Sequence, residues 1–446
     1  MAPPGRPRHH LPPHPGFPGA QRLHAVSARS RSRTAGVLPA GACSRRGGLR
    51  LAWPGPEIVG KLPAAVVFAL CGRSRHGTPR VTSVPPSSEL TITVDEIAIR
   101  RYCSPAPPAA RHCPAVRAAV STQPVTGYVV GVREATHWGW WGPLIDQDVV
   151  EGLRRLTQRG GSALRGTPQQ CAATLRCAGR HAHTGIYSVG IGAFELACWD
   201  LVGQRNGVPV WQLFTQRPAR ARVASYATCF GLSLDQPGAA DIVAAVGDIW
   251  TVQKWRPVPD LRCDGSPAVR AALGAGPAGL ALDFGGQWSA AAALRFAAAV
   301  PLPLAFLEEP AAPDALADLA GLARPAPVAA GEHCYNPGEA TLLAAADIDI
   351  WQPDAVFCGG FGALQTIAER AAAAGRPLYP HGGGLIPALH AAIAGWPIDC
   401  LEFHLLLEPR RQAHLRRPVL ADDHGEFGVP DRPGWAGTLR DDLGEP

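Results

Sequence analysis

Short apolar runs, each closed by an acidic residue or a histidine, recur through the C-terminal half of the chain at nearly constant spacing. The first run is AGLALDF, and the last is DCLEFH. The closing residues are 21 to 27 residues apart and are Asp283, Glu308, Glu332, Asp354, His381 and Glu402. A strand of about five residues, a helix of about ten and two short loops span that distance. The pattern therefore predicts repeated strand–helix units with one polar side chain at the end of each strand.

The segments between these runs are rich in alanine and leucine, which favour helices. Examples are WSAAAALRFAAAV, DALADLAGLA and LQTIAERAAAAG. Strands that alternate with helices in this way form an α/β fold, and in a (β/α) barrel the carboxyl ends of all the strands share one face. We therefore expect the six polar side chains to converge on one pocket, as in an active site.

The preceding part of the chain has a different pattern. ELTITVDEIAIRRY alternates as a strand does, and TGYVVGVREA is predicted to be its antiparallel partner. HWGWWGPLIDQDVVEGLRRLTQ predicts an aromatic, glycine-rich loop before an amphipathic helix, and GAFELACWDLVGQRNG predicts a second helix that stops at Gly207. Strands followed by helices ahead of the repeated units indicate an α+β domain that precedes the barrel.

These patterns divide the chain into four parts. Residues 1–88 are rich in Pro, Arg, Gly and Ser, which predicts a disordered arm or a misassigned start of the chain. Residues 89–222 form the predicted α+β domain, and residues 223–404 form the predicted barrel. Residues 405–446 predict short strand and turn segments rather than another strand–helix unit.

The net charge of +6 conceals two parts of opposite sign. Residues 1–88 carry a net charge of +12, so the remaining 358 residues carry −6. An acidic body argues against nucleic-acid binding by the folded part, since such a domain has a basic face. An arm that binds nucleic acid or another partner stays open as the alternative.

The cysteine pattern and hydropathy bear on the cellular compartment. The twelve cysteines contain no CxxC pair, which predicts reduced thiols in a cytoplasmic protein. The longest apolar run near the start, LPAAVVFALC, is half of the roughly 20 residues that a membrane span needs. We expect no membrane segment and no secretion.

Asp283, Glu308 and Glu332 are carboxylates at three successive predicted strand ends. Without a cation, three carboxylates in one pocket repel one another and raise their pKa values. Oxygen ligands of this kind suit Mg²⁺, and Mn²⁺ could replace it. The sequence therefore predicts a magnesium site, against the alternative of ordinary helix caps and surface acids.

Asp354 and His381 follow at adjacent predicted strand ends. A carboxylate beside an imidazole fixes its tautomer and raises its basicity, which suits a general acid or base. Lys254 lies one unit before Asp283 and is one of two lysines among 42 basic residues. Lysine can lose its proton in a tuned site whereas arginine cannot, so Lys254 is a candidate second base. A divalent metal with bases on two sides suits removal of a proton next to a carboxylate.

From residue 89 onward the chain contains a series of specific motifs, which are GIGAFELACWDLVGQRNGVPVWQLF, LDF, FLEEP, AGEH, QPDAVFCGGFGALQTIAE, YPHG, LEFH and VPDRPGW. In these motifs the chain resembles the enolase superfamily, and within it the mandelate racemase/muconate-lactonizing branch. The resemblance implies an enolase-type barrel with an N-terminal capping domain that the C-terminal tail completes. It also implies Mg²⁺ at Asp283, Glu308 and Glu332, an Asp354–His381 dyad, and Glu402 near the substrate carboxylate.

GEH, CGG and YPHG most resemble the acid-sugar dehydratases, which form a 2-keto-3-deoxy acid by loss of water. We therefore expect a Mg²⁺-dependent hydro-lyase that acts on a small carboxylate and assembles as a homo-oligomer. A racemase or epimerase of a 2-hydroxy acid and a non-catalytic ligand-binding relative are the alternatives. The branch commonly has Lys-x-Lys on its second strand, where this chain has VQKWRP. Lys254 could therefore occupy the position that is not the base.

Overall fold

The computed structural model describes residues 89–105, 123–160, 164–232, 234, 236, 238–257, 279–300, 303–437 and 439–440. All of them belong to Lys61–Pro446, the larger of the two units into which the chain divides. The arm predicted at residues 1–88 lies outside the described residues.

The N-terminal part is built on a three-stranded antiparallel sheet. Its strands are β2 (Glu96–Ser104), β3 (Val125–Glu134) and β4 (His137–Leu144), with β3 in the centre. The predicted antiparallel pair is confirmed, because Ile99 of β2 lies opposite Val130 of β3. A small pair, β1 (Ile92–Thr93) with β5 (Arg165–Gly166), lies outside this sheet. The helices of this part are α1 (Gln147–Gly160), α2 (Pro168–Ala178) and α3 (Gly185–Asn206).

The aromatic segment HWGWWG begins strand β4, so the loop predicted there is wrong. Its glycines provide close approach rather than a turn. A Cβ on Gly139 would lie 2.1 Å from the backbone nitrogen of Leu201 in α3, so only glycine lets the strand and the helix touch. Trp141 packs edge-on against Trp435 of the C-terminal tail, with ring centroids 6.0 Å apart. Trp138 and Trp140, whose rings stack with centroids 4.9 Å apart, lie on one face of the strand, and Gly139 and Trp141 lie on the other, as the strand period of two requires.

Helix α3 is the core of this part. It is long and apolar enough to cross a membrane, but 78% of its most apolar window is buried inside the protein. It ends, as predicted, at Gly207, whose φ of 67° lies in the left-handed region that favours glycine. The tail returns to this helix, because the backbone amide of Trp435 donates to Asp200 Oδ1 at 2.9 Å and its indole donates to the Leu196 carbonyl at 2.8 Å. These contacts agree with the proposal that residues 405–446 complete the capping domain.

The rest of the described chain contains a parallel sheet. Its strands are β6 Arg222–Thr228, β7 Val252–Trp255, β8 Gly279–Asp283, β9 Leu304–Glu308, β10 Val328–Ala330, β11 Ile350–Trp351 and β12 Leu401–His404. They run in the spatial order β12–β6–β7–β8–β9–β10–β11, and every neighbouring pair is parallel. β13 (Glu426–Gly428), from the tail, pairs antiparallel with the start of β6.

Backbone hydrogen bonds close this sheet into a barrel. Trp351 at the end of β11 makes a parallel bridge to Leu378. The amide of Asp399, just before β12, donates to the carbonyl of Leu378 at 3.0 Å. The segment at 377–379 therefore occupies an eighth strand position between β11 and β12, and the ring is complete.

The interior of the barrel has its own buried cluster, to which all eight strand positions contribute. Its members are Tyr226, Val252, Ala281, Ala305, Phe306, Ala329, Ile350, Tyr379 and Cys400. The residues between them along the strands, such as Leu280 and Leu282, belong instead to the larger cluster that includes helix residues. Because side chains alternate along a strand, residues two positions beyond the interior cluster also point into the barrel.

Helices follow most of the strands. Their bounds are α4 Ala239–Gly247, α5 Ala290–Ala298, α6 Ala340–Ala345, α7 Phe361–Ala373, α8 Leu385–Ile393 and α9 Leu407–Arg411. The helix predicted from DALADLAGLA is wrong in type, because Pro313–Leu319 is a 3₁₀ segment. Ala315 there leaves helical geometry, with φ of −114° and ψ of 15°. A segment this short has little intrinsic helix stability, so tertiary contacts decide its geometry.

Fully buried His390 in α8 gives the fold a predicted dependence on pH. Burial lowers the pKa of His390 from 6.5 to about 3. Below pH 6.5 the unfolded chain therefore binds a proton that the folded chain does not, and stability falls by about 1.4 kcal/mol per pH unit. In the wild type, His390 Nδ1 accepts a hydrogen bond from the Trp211 amide at 3.1 Å. The variant His390→Asn keeps a hydrogen-bond acceptor near that position.

Urea unfolding from pH 7 to pH 4 would compare the two proteins. The unfolding free energy of the wild type should fall relative to His390→Asn by about 1.4 kcal/mol for each unit below pH 6.5. A constant difference across that range would contradict the prediction.

Candidate functional site

The polar residues predicted at strand ends lie at one end of the barrel. Lys254, Asp283, Glu308 and Glu402 are within or at the end of β7, β8, β9 and β12. Glu332, Asp354 and His381 follow β10, β11 and the 377–379 position by two or three residues. Several are two residues beyond a member of the interior cluster, as Lys254 is beyond Val252 and His381 beyond Tyr379. The hydrogen bonds and ion pairs described below join them into one site.

Asp283 and Glu308 are register partners on adjacent strands, so their side chains start side by side. Burial and the negative charges of Asp283 and Glu402 raise the pKa of Glu308 to about 8, against the opposing charge of Lys254. Such a shift is the expected response of carboxylates that share a pocket without enough positive charge. Asp283 lies beside the guanidinium of Arg256, whose Nη2 is 3.7 Å from Oδ2. Among the described residues, the third carboxylate, Glu332, pairs with the imidazoles of His333 and His381. The donor set is all oxygen and rich in negative charge, which fits Mg²⁺.

Lys254 is buried between two carboxylates. Its ammonium contacts Glu308 Oε1 and lies 2.6 Å from Glu402 Oε1. Burial opposes its charge, but Glu308 and Glu402 raise the pKa of Lys254 above its usual range. A lysine held in this way keeps its proton, so the geometry favours a charge-balancing role for Lys254 over the role of a base.

Asp354 and His381 form the dyad expected from the sequence. His381 Nδ1 is 2.8 Å from Asp354 Oδ2, and the other oxygen of Asp354 accepts from the amides of Val356 and Phe357 at 2.7 and 3.0 Å. The carboxylate is thus fixed in place and in turn fixes the imidazole. His381 Nε2 lies 3.2 Å from Glu332 Oε2, beside the carboxylate set. Burial opposes the charged form, but Glu332 and the hydrogen bond with Asp354 raise the pKa of His381 to about 9.

Glu402 is fully buried and bound on both oxygens. Besides Lys254, Oε1 accepts from the Thr228 hydroxyl at 2.5 Å, and Oε2 accepts from the Gly382 amide at 2.8 Å. Burial favours the neutral form of Glu402, but the Lys254 ammonium and His404 outweigh it and lower the pKa of Glu402 well below its usual range. Glu402 therefore stays ionised and links β12 to the loop that carries His381.

Sequence analysis missed three residues of this site. Gln352 donates to Glu308 Oε2 at 2.5 Å, and Arg256 is level with Asp283 because Trp255 pairs with Leu282. His404, two residues after Glu402, has its imidazole 5.7 Å from that of His381, measured between ring centroids. The period of two along a strand could have found His404, since it lies on the same face of β12 as Glu402.

Comparisons with known proteins agree with this architecture. Residues 239–443 match the family described as Enolase C-terminal domain-like. The chain is 29% identical over 294 residues to the arabinonate dehydratase of Saccharolobus solfataricus, covering 61% of this chain and 74% of that protein. It is 30% identical over 276 residues to the 3,6-anhydro-alpha-L-galactonate cycloisomerase of Streptomyces coelicolor, covering 59% of this chain and 73% of that protein.

Solved structures share the fold. The L-talarate dehydratase of Polaromonas sp. JS666, complexed with Mg and L-glucarate, superposes with a TM-score of 0.62 at 23% identity, covering 79% of this chain and 96% of that one. An enolase from Bradyrhizobium, complexed with magnesium and mandelic acid, gives a TM-score of 0.63 at 20% identity, covering 79% of this chain and 97% of that one. With the closed barrel and the family match, these likenesses establish the enolase-type fold with its capping domain. The chain is therefore an enzyme of the enolase superfamily, in the branch that contains mandelate racemase and the muconate-lactonizing enzyme.

Proposed function

We propose that this enzyme is a Mg²⁺-dependent dehydratase of acid sugars, which removes the proton α to the carboxylate and expels the β-hydroxyl as water. The observation that carries the proposal is the position of the His381–Asp354 dyad, with Nε2 of His381 3.2 Å from Glu332. An acid/base group thus stands directly beside the carboxylate set. The relatives named as an arabinonate dehydratase and an L-talarate dehydratase support a polyhydroxy carboxylate as the substrate class.

Asp283, Glu308 and Glu332 are the proposed holders of Mg²⁺. When bound, the ion would stabilise the negative charge that builds on the substrate carboxylate as the α-proton leaves. The raised pKa of Glu308 supports this assignment, because a cation relieves the repulsion that raises it. The complexes of two structural neighbours with magnesium support it as well.

His381 is the proposed acid/base residue. Asp354 holds Nδ1, which leaves Nε2 to exchange a proton with substrate. In dehydration the α C–H bond breaks and its proton passes to a base, while the β C–O bond breaks and its oxygen leaves with a proton as water. One imidazole can serve both steps if the two groups lie on the same side of the substrate. The enol that forms then tautomerises to the 2-keto-3-deoxy acid.

The surroundings of Lys254 favour dehydration over racemisation. A racemase needs a base on each face of the α-carbon. Lys254 on β7 is held by two carboxylates, and Arg256, one residue after the end of β7, in practice does not give up its proton. We therefore propose that Lys254 and Glu402 form a buried charge pair that supports the site. The racemase or epimerase stays as the second candidate because it uses the same scaffold.

NMR in D₂O with Mg²⁺ tests the proposed function. The purified enzyme is given a panel of pentonates, hexonates and aldarates that includes arabinonate, talarate and galactarate. We expect a 2-keto-3-deoxy product, which should disappear with Asp283→Asn and on removal of Mg²⁺ by a chelator. Deuterium at the α-carbon with no loss of water would instead favour the racemase or epimerase. Mg²⁺ binding with no change in any substrate would favour a non-catalytic relative.

The other expectations remain proposals. We propose a cytoplasmic homo-oligomer that has neither a nucleic acid nor a membrane as its partner. Among the described residues, the thiols of Cys103, Cys171, Cys177, Cys198, Cys334 and Cys358 are free, in keeping with a reducing compartment. Residues 1–88 are proposed to be dispensable for catalysis, so a chain that starts at Glu89 should retain the turnover of the full chain.

A further inference from the structure

His404 is a buried histidine of the site to which no role has been assigned above. It is the last residue of β12, two positions after Glu402, and only 5% of it is exposed. Its Nε2 lies 3.1 Å from Glu402 Oε1, within hydrogen-bonding distance. Both ring nitrogens are buried, and neither makes a hydrogen bond of good geometry with the described residues. A buried polar atom left in this state is costly unless something else binds it.

The short distance from Nε2 to Glu402 decides the chemistry of Nδ1. Glu402 is ionised, so the tautomer with its hydrogen on Nε2, the nitrogen nearest that carboxylate, is favoured over one that places a bare lone pair there. Burial lowers the pKa of His404 to about 4, so the ring is neutral at ordinary pH. In a neutral imidazole only one nitrogen is protonated, and Nδ1 is therefore a hydrogen-bond acceptor.

The position of the ring suggests where the partner comes from. Glu402 is one inward-facing position earlier on β12, and so it lies deeper in the barrel. Nε2 is the ring nitrogen nearest Glu402, and Nδ1 lies on the other side of the ring. The His404 ring stands 5.7 Å from that of His381, at 78° to it, so a molecule handled by His381 is within reach.

Two kinds of ligand can be compared at this position. His381, Glu402 and His404 are close enough to hold a metal ion, with ligand atoms within 4.8 Å of one another. The only negative charge in that trio belongs to Glu402, and the Lys254 ammonium 2.6 Å away already balances it. A second cation would gain little there. A neutral hydroxyl, which donates to a bare imidazole nitrogen, matches the site better.

We propose that Nδ1 of His404 accepts a hydrogen bond from a hydroxyl of the substrate's carbon chain, so that His404 is a specificity-determining residue. This inference rests on the proposed function, since it takes a polyhydroxy carboxylate as the substrate. A site built to bind a hydroxyl discriminates against the analogue that lacks it, because the buried acceptor is then left unpaired. His404 thus makes the enzyme select a sugar acid with a hydroxyl at one position over the matching deoxy-sugar acid.

A pair of variants separates this role from support of Glu402. His404→Asn places an amide oxygen near the position of Nδ1 but loses the donor to Glu402. His404→Gln keeps a donor near the position of Nε2 but loses the acceptor at Nδ1. The proposal predicts that Gln is the more harmful change in kcat/KM, by about 10- to 100-fold. A purely supporting role predicts that Asn is the more harmful one.

The measurement is kcat and KM for the best substrate of the panel and for its deoxy counterparts at each carbon beyond C3, because the reaction itself needs the groups on C2 and C3. For one deoxy acid, the loss caused by His404→Gln should vanish, because the hydroxyl that His404 binds is already missing. Equal losses on the substrate and on every deoxy acid, or a greater loss with Asn, would overturn the role of His404 and leave the proposed function intact. A wild-type enzyme that turns over no acid sugar would overturn both. If either variant fails to fold, the deoxy series with the wild type remains decisive, since one position must cost about 10-fold or more in kcat/KM.

Discussion

Replacing His381 with asparagine is expected to lower kcat for dehydration by about 10²- to 10⁴-fold while Mg²⁺ still binds. The physical reason is that Nε2 of His381 is the acid/base atom beside Glu332, whereas none of the three proposed metal ligands is altered. Asparagine can still bond to Asp354 through its amide, so the carboxylate is not left without a partner. Steady-state kinetics on the best acid sugar and calorimetric titration with Mg²⁺ would measure the two effects separately.

The control for this variant is His390→Asn, which removes a buried histidine from helix α8 without touching the site. Its kcat should equal that of the wild type at pH 7. A His381→Asn enzyme that keeps more than a tenth of the wild-type kcat would contradict the assignment. Loss of Mg²⁺ binding along with turnover would instead make His381 a metal-site residue.

Replacing Lys254 with methionine is expected to lower the unfolding free energy of the Mg²⁺-free protein by about 3–5 kcal/mol. Methionine has a similar length and fills the buried space, so the loss reports the charge rather than a cavity. Without the ammonium, Glu308 and Glu402 face each other in the barrel with no cation between them. Denaturant unfolding of the two proteins in the presence of a chelator would measure the difference.

A second substitution shows whether charge is the cause. Adding Glu402→Gln to Lys254→Met removes one of the two unpaired carboxylates, so the double variant should be more stable than Lys254→Met alone. Mg²⁺ should also stabilise Lys254→Met more than the wild type, because the ion replaces part of the missing positive charge. A cost below about 1 kcal/mol, as found for exposed ion pairs, would contradict a buried charge pair at this place.

The difference between Lys254 and His381 explains how far sequence reasoning reaches. Both were selected as candidate bases because of their residue type and their strand-end position. The dyad follows from the order of the strands, since Asp354 and His381 end neighbouring strand positions. Whether Lys254 keeps its proton depends on Glu402, which is 148 residues later in the chain. The two residues are adjacent only because the barrel closes between β12 and β6. Spacing along the chain contains no information on which carboxylates meet that ammonium.

The sequence by itself determined the repeated strand–helix order, the seven polar positions at the barrel mouth and the antiparallel pair β2–β3. These features depend on local periodicity and on the geometry of parallel strands, which hold wherever the pattern occurs. The tertiary structure alone decided that HWGWWG is a strand, that Pro313–Leu319 is not an α-helix, and that the Lys254 ammonium lies between Glu308 and Glu402. The strand at HWGWWG and the position of Lys254 depend on contacts between residues far apart in the chain, whereas a segment as short as Pro313–Leu319 has too little intrinsic helix stability to decide its own geometry. Burial and charge, which fix the protonation of Lys254, His381 and His404, arise only when the barrel has closed around them.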